Sequence, residues 1–267
     1  MFEESFSEAW RLRYGAAPPI DTPAIDRLLL HRSVRKFSER QIEEDTVRGL
    51  VAAAQSAATS SNLQLYSIIS VQDPERREAM AKLCADYQQV RTAPWFFAFL
   101  ADHHRLKRAA AEVGEQALGM DYMEFLVMAL IDVALAAERM SCAAESLGLG
   151  ICYIGAMRND VKGVQELLKL PRGVFGVFGL CIGWPAEGAG AEIKPRLSQD
   201  SIWFREQYPE RIDVSDYDDR MREFYLSQGM KGEVTWTMRS GKRVDEHHLS
   251  GREVLLDWLR EQGFGLR

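Results

Sequence analysis

The sequence predicts an α+β fold in three layers, with a mixed sheet flanked by helices. Three observations carry this. Two short apolar runs, 93–101 and 174–184, read as strands covered on both faces. One long stretch, 120–147, is so sparsely charged that it reads as a helix buried over most of its circumference. Strands and helices also mix without strict β-α-β alternation, which argues against a doubly wound parallel sheet.

The elements follow in order. Thr22-Pro23 reads as a helix start, since Thr caps and Pro suits the first helical position. Ile25, Leu28 and Leu29 then recur at helical spacing towards His31. A second helix is expected over 43–58, with Val47, Leu50, Val51 and Ala54 on one face. The polar break 59–62 ends it. Ser-Ile-Ile-Ser-Val at 67–71 reads as a strand closed by Asp73-Pro74, and a helix is expected from Pro74 to about Tyr87. Gly148 and Gly150 end the central helix. A short helix over 161–168 stops before Pro171. From Asp200 onward the composition turns charged and aromatic. Helices are expected near 216–227 and 251–262, with a polar loop over 229–248 between them.

The chain has 267 residues, enough for one to two domains at about 150 residues each. It shows no repeat, low-complexity tract or long linker. We read residues 1–20 as an extension and 21–267 as one domain with a C-terminal excursion over about 200–267. A net charge of −6 argues against nucleic-acid binding by bulk charge but leaves room for a pocket holding one phosphate. Cys84, Cys142, Cys152 and Cys181 form no C-x-x-C pair and read as buried reduced thiols. The acidic start, Met1-Phe2-Glu3-Glu4, is no signal peptide, and no apolar run approaches the roughly 20 residues a membrane helix needs. A cytoplasmic protein without membrane contact is expected.

Walker A, H-E-x-x-H, G-x-S-x-G and G-x-G-x-x-G motifs are lacking. His103-His104 and His247-His248 are read as solvated pairs in polar loops, so no metal is expected. With no nucleophile or catalytic side chain evident, an enzyme of this sequence needs a cofactor for its chemistry.

Three stretches point to one. His31-Arg32-Ser33-Val34-Arg35 gathers two guanidiniums, an imidazole and a hydroxyl; alone it also reads as a solvated cluster at a helix end. Lys194-Pro195-Arg196 places two cations on one side of an extended segment, stiffened by the proline. Tyr153-Ile154-Gly155-Ala156 offers small residues where a flat ligand can approach the backbone. Fork-shaped arginines and a point-charge lysine suit a phosphate. Together the stretches describe a site for a phosphate attached to a planar heterocycle. The polar break over 59–64 adds hydroxyls and an amide.

Interleaved with Ser60-Ser61-Asn62-Leu63-Gln64, Glu145-Ser146-Leu147-Gly148-Leu149-Gly150 and Phe178-Gly179-Leu180-Cys181-Ile182-Gly183-Trp184-Pro185, these motifs form a recognisable series along the chain. From about Ile25 to Arg267 the chain resembles the flavin-dependent nitroreductase family, in particular its major oxygen-insensitive NADPH nitroreductases and luminous-bacterial flavin reductases. The resemblance implies a mainly antiparallel sheet and an intertwined homodimer that binds FMN non-covalently at its interface. Carried over by motif, His31, Arg32, Ser33, Lys194 and Arg196 would hold the phosphate, and Arg35 would lie towards the pyrimidine and ribityl chain. Thr59, Ser60, Ser61 and Gln64 would reach the flavin from the partner subunit. Tyr153, Ile154, Gly155 and Ala156 would line the ring, Ala156 standing where the family often has a second glycine. The implied reaction is ping-pong hydride transfer from NADPH or NADH through flavin N5 to small acceptors such as nitroaromatics, quinones, azo dyes, chromate or free flavin.

On the substrate side the resemblance points to Ser61, Gln228 and Arg252. NADPH-selective members carry an arginine in a Tyr-Leu-Thr-Arg-Gly segment, where this chain has Tyr225-Leu226-Ser227-Gln228-Gly229. A 2′-phosphate calls for cationic forks, so weaker discrimination and use of NADH are expected. Arg252 reads equally as a surface helix charge. Three alternatives stay open: a flavin reductase supplying reduced FMN, a non-enzymatic flavin-binding protein, and a helical interaction protein without cofactor.

Overall fold

The computed structural model of the chain describes residues 4–18, 25–265 and 267. In chain order its elements are α1 (Phe6–Tyr14), α2 (Asp26–Leu29), α3 (Glu44–Gln55), β1 (Tyr66–Ser70), α4 (Pro74–Leu83), α5 (Gln88–Thr92) and β2 (Trp95–Asp102). There follow α6 (His104–Glu112), α7 (Met123–Ser146), β3 (Gly150–Ile154), α8 (Val161–Leu168), β4 (Val174–Gly183), α9 (Ser215–Ser227), α10 (Trp236–Arg243) and α11 (Leu255–Glu261). No described helix is long and apolar enough to cross a membrane. The elements divide into two units, one of residues 1–32 and 191–249, the other of residues 33–190 and 250–267.

The larger unit is built on a four-stranded sheet in the order β1-β2-β4-β3, antiparallel at every strand pair. One parallel bridge, Ser33 to Ile151, continues it past β3. The apolar run at 93–101 becomes β2 because Phe96, Phe97 and Phe99 are all buried, covered on both faces of the strand. A bulge opposite Phe99 and Leu100 interrupts its register with β4. Helix α7 lays Leu126, Ala129, Val133, Ala136, Met140 and Ala144 into the core shared with Val47, Leu50 and Ala54 of α3. Its other face is not covered by the described residues: Val127, Ile131 and Leu135, at i, i+4 spacing, are 41%, 47% and 43% exposed.

Several expectations need correction here. The helix expected over 74–87 stops at Leu83, because Ala85 and Asp86 take left-handed φ of +57° and +60°, and α5 then starts afresh. Residues 103–104 are not a solvated loop. His103 is fully buried against Phe264, its Nε2 3.1 Å from the Phe125 carbonyl, and burial pushes its pKa down. His104 opens α6. Sequence reading also missed β3, whose tight approach to Val34 needs Gly150: an added Cβ would sit 2.6 Å from a Val34 methyl. Cys84, Cys152 and Cys181 are buried and Cys142 half-buried; all are free thiols.

In the smaller unit, α1 begins with a reciprocal cap between Ser5 and Glu8 and ends at Gly15, whose φ is +74°. Helix α9 follows its expected bounds closely. The segment over 229–248 is not a plain polar loop, since Thr235 caps α10 and Trp236 packs on Tyr217 at 5.5 Å between ring centres. His247 and His248 are exposed, in a short 3₁₀ turn. Thr22-Pro23, the expected helix start, lies outside the described residues, and α2 covers only four.

Candidate functional site

The cationic part of the site is assembled in the smaller unit. Ile193 and Pro195 are buried while Lys194 and Arg196 are exposed, so the two cations share one side of an extended segment, as alternation requires. His31 belongs to the other segment and is half-buried. Both segments are tied to Arg13, which is 4% exposed. Its Nε donates to the Leu29 carbonyl at 2.8 Å, and its Nη2 to the His31 carbonyl at 2.8 Å. Its Nη1 reaches the Lys194 carbonyl at 3.5 Å. Arg32 turns the other way. Its Nη1 and Nη2 donate to the two carboxylate oxygens of Glu4 at 2.9 and 3.0 Å, and its Nε to the Leu30 carbonyl. That buried fork is a bidentate pair, the strong form of the interaction.

The planar part of the site is assembled in the larger unit. Ser33 bridges to Ile151, and the Val34 amide donates to the Ile151 carbonyl at 2.9 Å, so the segment that starts at Ser33 runs beside β3. Arg35 is exposed, and its charge opposes the upward push that burial gives the Cys152 thiol. At the end of β3 the chain enters a 3₁₀ turn, Gly155–Arg158. Arg252 grips that turn, with Nε 2.9 Å from Asn159 Oδ1 and Nη2 3.2 Å from the Gly155 carbonyl. Gly251 precedes it at φ +88°, where an added Cβ would stand 2.5 Å from the Asn159 carbonyl oxygen. Tyr153 is 36% exposed, and its hydroxyl lies 2.9 Å from Ser141 Oγ and 3.2 Å from Glu138 Oε2. Burial, foremost, pushes its phenol pKa up, so it stays protonated.

The polar break forms a strained loop. Ser61, Asn62 and Gln64 all have positive φ, 50°, 57° and 52°, which L residues seldom adopt. Asp132, fully buried in α7, holds the loop at both ends. Its Oδ1 accepts from the Ser60 amide at 2.8 Å and its Oδ2 from the Leu65 amide at 3.0 Å. Arg105 adds a bond to the Gln64 carbonyl at 3.2 Å. Thr59 and Ser60 are half-buried, Ser61 and Gln64 exposed. Asp132 and the Ser141 that holds Tyr153 stand nine residues apart on α7, about 13 Å along its axis. The loop and Tyr153 are thus held at separate points of one helix.

Gln228 caps the C-terminus of α9 and is exposed. Near it, Arg239 of α10 lies 4.9 Å over the Tyr225 ring and 3.1 Å from Met230 Sδ. Sequence reading missed Arg13, Asp132 and Asn159. Asp132 left a signal, a carboxylate in the middle of the apolar stretch between Glu124 and Glu138, because buried charge is rare unless hydrogen-bonded. Arg13 and Asn159 left none.

Comparison with known proteins identifies the family. Residues 29–184 match the nitroreductase family, and residues 194–267 match the C-terminal domain of that family. The chain belongs to the nitroreductase family. It is 37% identical over 247 residues to an FMN reductase (NADPH) of Bacillus subtilis, covering 90% of this chain and 97% of that one. It is 35% identical to an oxygen-insensitive NADPH nitroreductase of Salmonella typhimurium, over 92% of this chain and all of that one. Among solved structures, a nitroreductase from B. subtilis superposes with a TM-score of 0.84 at 36% identity, covering 90% of this chain and 98% of its own. An NADPH:FMN oxidoreductase of Vibrio harveyi, in complex with NAD+, superposes with a TM-score of 0.79 at 32% identity, covering 91% and 97%.

Proposed function

We propose that the protein is an FMN-dependent NAD(P)H oxidoreductase acting on small, flat, electron-poor acceptors such as nitroaromatics and quinones. One observation carries the reading most: in a chain of this family, the backbone of Lys194-Pro195-Arg196, whose two cations are exposed, and that of the His31 segment are both bonded by one buried arginine. That donor set fits a phosphate monoester. The turn after β3 opens with two small residues, Gly155 and Ala156, which would let a planar ring approach the backbone. When bound, FMN supplies the ring that takes up and hands on a hydride.

The chain's own residues bind and orient. In this reading Lys194, Arg196, His31 and Ser33 hold the phosphate, and Arg32 joins them with its charge shared by Glu4. Arg35 supplies positive charge beside the pyrimidine edge and ribityl chain. Tyr153, Ile154, Gly155 and Ala156 line the ring, and Arg252 fixes their turn while flanking the substrate side. Thr59, Ser60, Ser61 and Gln64 serve the partner's flavin; the separate anchoring of their loop and of Tyr153 along α7 supports a site shared between two copies. The protein is accordingly a cytoplasmic homodimer, residues 1–20 an extension and 21–267 the nitroreductase-like body. In this reading Gln228 faces the nucleotide, and its lack of charge weakens discrimination against NADH.

A second reading, a flavin reductase that releases reduced FMN, draws on the name of the B. subtilis relative. Steady-state kinetics test both. Parallel double-reciprocal lines with a nitroaromatic or quinone are expected. Turnover with free FMN exceeding that with every nitroaromatic and quinone would favour the second reading.

A further inference from the structure

The family match begins at residue 29, and a tenth of the chain has no counterpart in the B. subtilis reductase. Helix α1 belongs to the part ahead of the match. Its last turn nevertheless reaches both segments assigned to the phosphate. The Arg13 side chain donates to the carbonyls of Leu29 and His31, each at 2.8 Å, and to that of Lys194 at 3.5 Å. The Arg13 carbonyl accepts in return from the Arg196 amide at 2.9 Å and from Arg220 Nη1 at 2.7 Å. Arg220 spans onward to the Arg196 carbonyl at 3.0 Å. Residues 31 and 194 lie far apart in the chain, and one buried arginine joins their backbones.

We infer that α1 is an accessory part of the phosphate site, with Arg13 as a positioning residue that fixes His31 against Lys194 and Arg196. This rests on the assignment of those residues to the FMN phosphate. A guanidinium is suited to the task because its fork presents donors in one plane to several carbonyls at once. Held this way, the cations pay little ordering entropy when a phosphate arrives, which favours binding. The effect is confined to the phosphate end of the ligand, and that separates positioning from general support of the fold.

The test compares equilibrium binding of FMN and of riboflavin, which lacks the phosphate, to the full-length chain freed of flavin. The variants are R13M, K194M and R196Q. All three are expected to weaken FMN by about tenfold or more, the scale of hydrogen bonds to charged groups, with riboflavin affinity unchanged. If K194M and R196Q lose FMN selectivity and R13M keeps it, the inference fails and the phosphate assignment stands. An R13M variant that weakens both ligands alike also overturns it, since Arg13 would then act only through stability. Should K194M and R196Q leave selectivity intact, the phosphate assignment fails and takes the inference with it. R13K keeps charge and stem but loses the fork. It shows the same selective loss, smaller, if R13M does not fold; full selectivity in R13K would overturn the inference.

Discussion

Exchanging Gln228 for Arg puts a cationic fork at the exposed end of α9, beside Arg239 on the Tyr225 ring. If this is where the nucleotide lies, Q228R raises the NADPH-to-NADH ratio of kcat/KM by about tenfold, as one charge-assisted bond would. An unchanged ratio places the 2′-phosphate elsewhere. The cysteines give a second check at this scale. Burial pushes the Cys84 thiol up to about 12 and raises Cys152 and Cys181 as well, so none offers thiolate at pH 8. Cys142, raised by burial and by Glu138 but only half-buried, is the thiol expected to react with a disulfide reagent in the native protein. Four rapidly reacting thiols without denaturant would contradict the packing of β3 against β4. Individual residues were unevenly legible. Lys194 and Arg196 could be read because alternation with a buried proline is a local rule. Arg13 could not, because its partners are backbone carbonyls remote in sequence, and a carbonyl has no residue type.

The loop over 60–65 and helix α7 are one mechanical element, joined by Asp132. A D132A substitution leaves the buried Leu65 amide and the half-buried Ser60 amide without their acceptor and opens a small cavity, at a cost of about 2–4 kcal/mol. The midpoint of denaturant unfolding reads that loss. It is expected to come with weaker flavin binding, because Ser61, Asn62 and Gln64 hold left-handed φ only while the loop ends are fixed. Wild-type flavin affinity in D132A would detach the loop from the site. At the scale of elements, periodicity served well where it was long or strict: α3, α8, β2, β4 and the body of α7 fall close to their expected places. It failed at 84–87, where two residues with left-handed φ divide a continuous helical pattern, and at 229–248, where α10 is short and carries its apolar contacts through Trp236. Helix α6 was hidden by its polar start, since His103 looks like a surface residue until Phe264 covers it.

At the scale of the molecule, the apolar stripe of Val127, Ile131 and Leu135 needs a cover that the described residues do not provide. In the proposed homodimer a second copy would cover it. The double substitution I131E/L135E is expected to shift a dimer to monomer in size-exclusion chromatography and to release flavin with it, because the Thr59–Gln64 loop would no longer reach its partner. A mutant that remains dimeric, or a wild-type monomer at micromolar concentration, would refute the shared site. The family was legible from sequence because six short motifs occur in order, but the division into units was not: the chain leaves the smaller unit after Arg32 and returns to it at Ala191, and no composition shift marks the first crossing. The central claim, an FMN enzyme fed by a nicotinamide, meets its most direct test in the visible spectrum of the purified protein, followed anaerobically by NADH and then by NADPH. The expected result is a yellow protein bleached by either nucleotide, with NADH at least competitive. A colourless protein that takes up no added FMN would contradict the account.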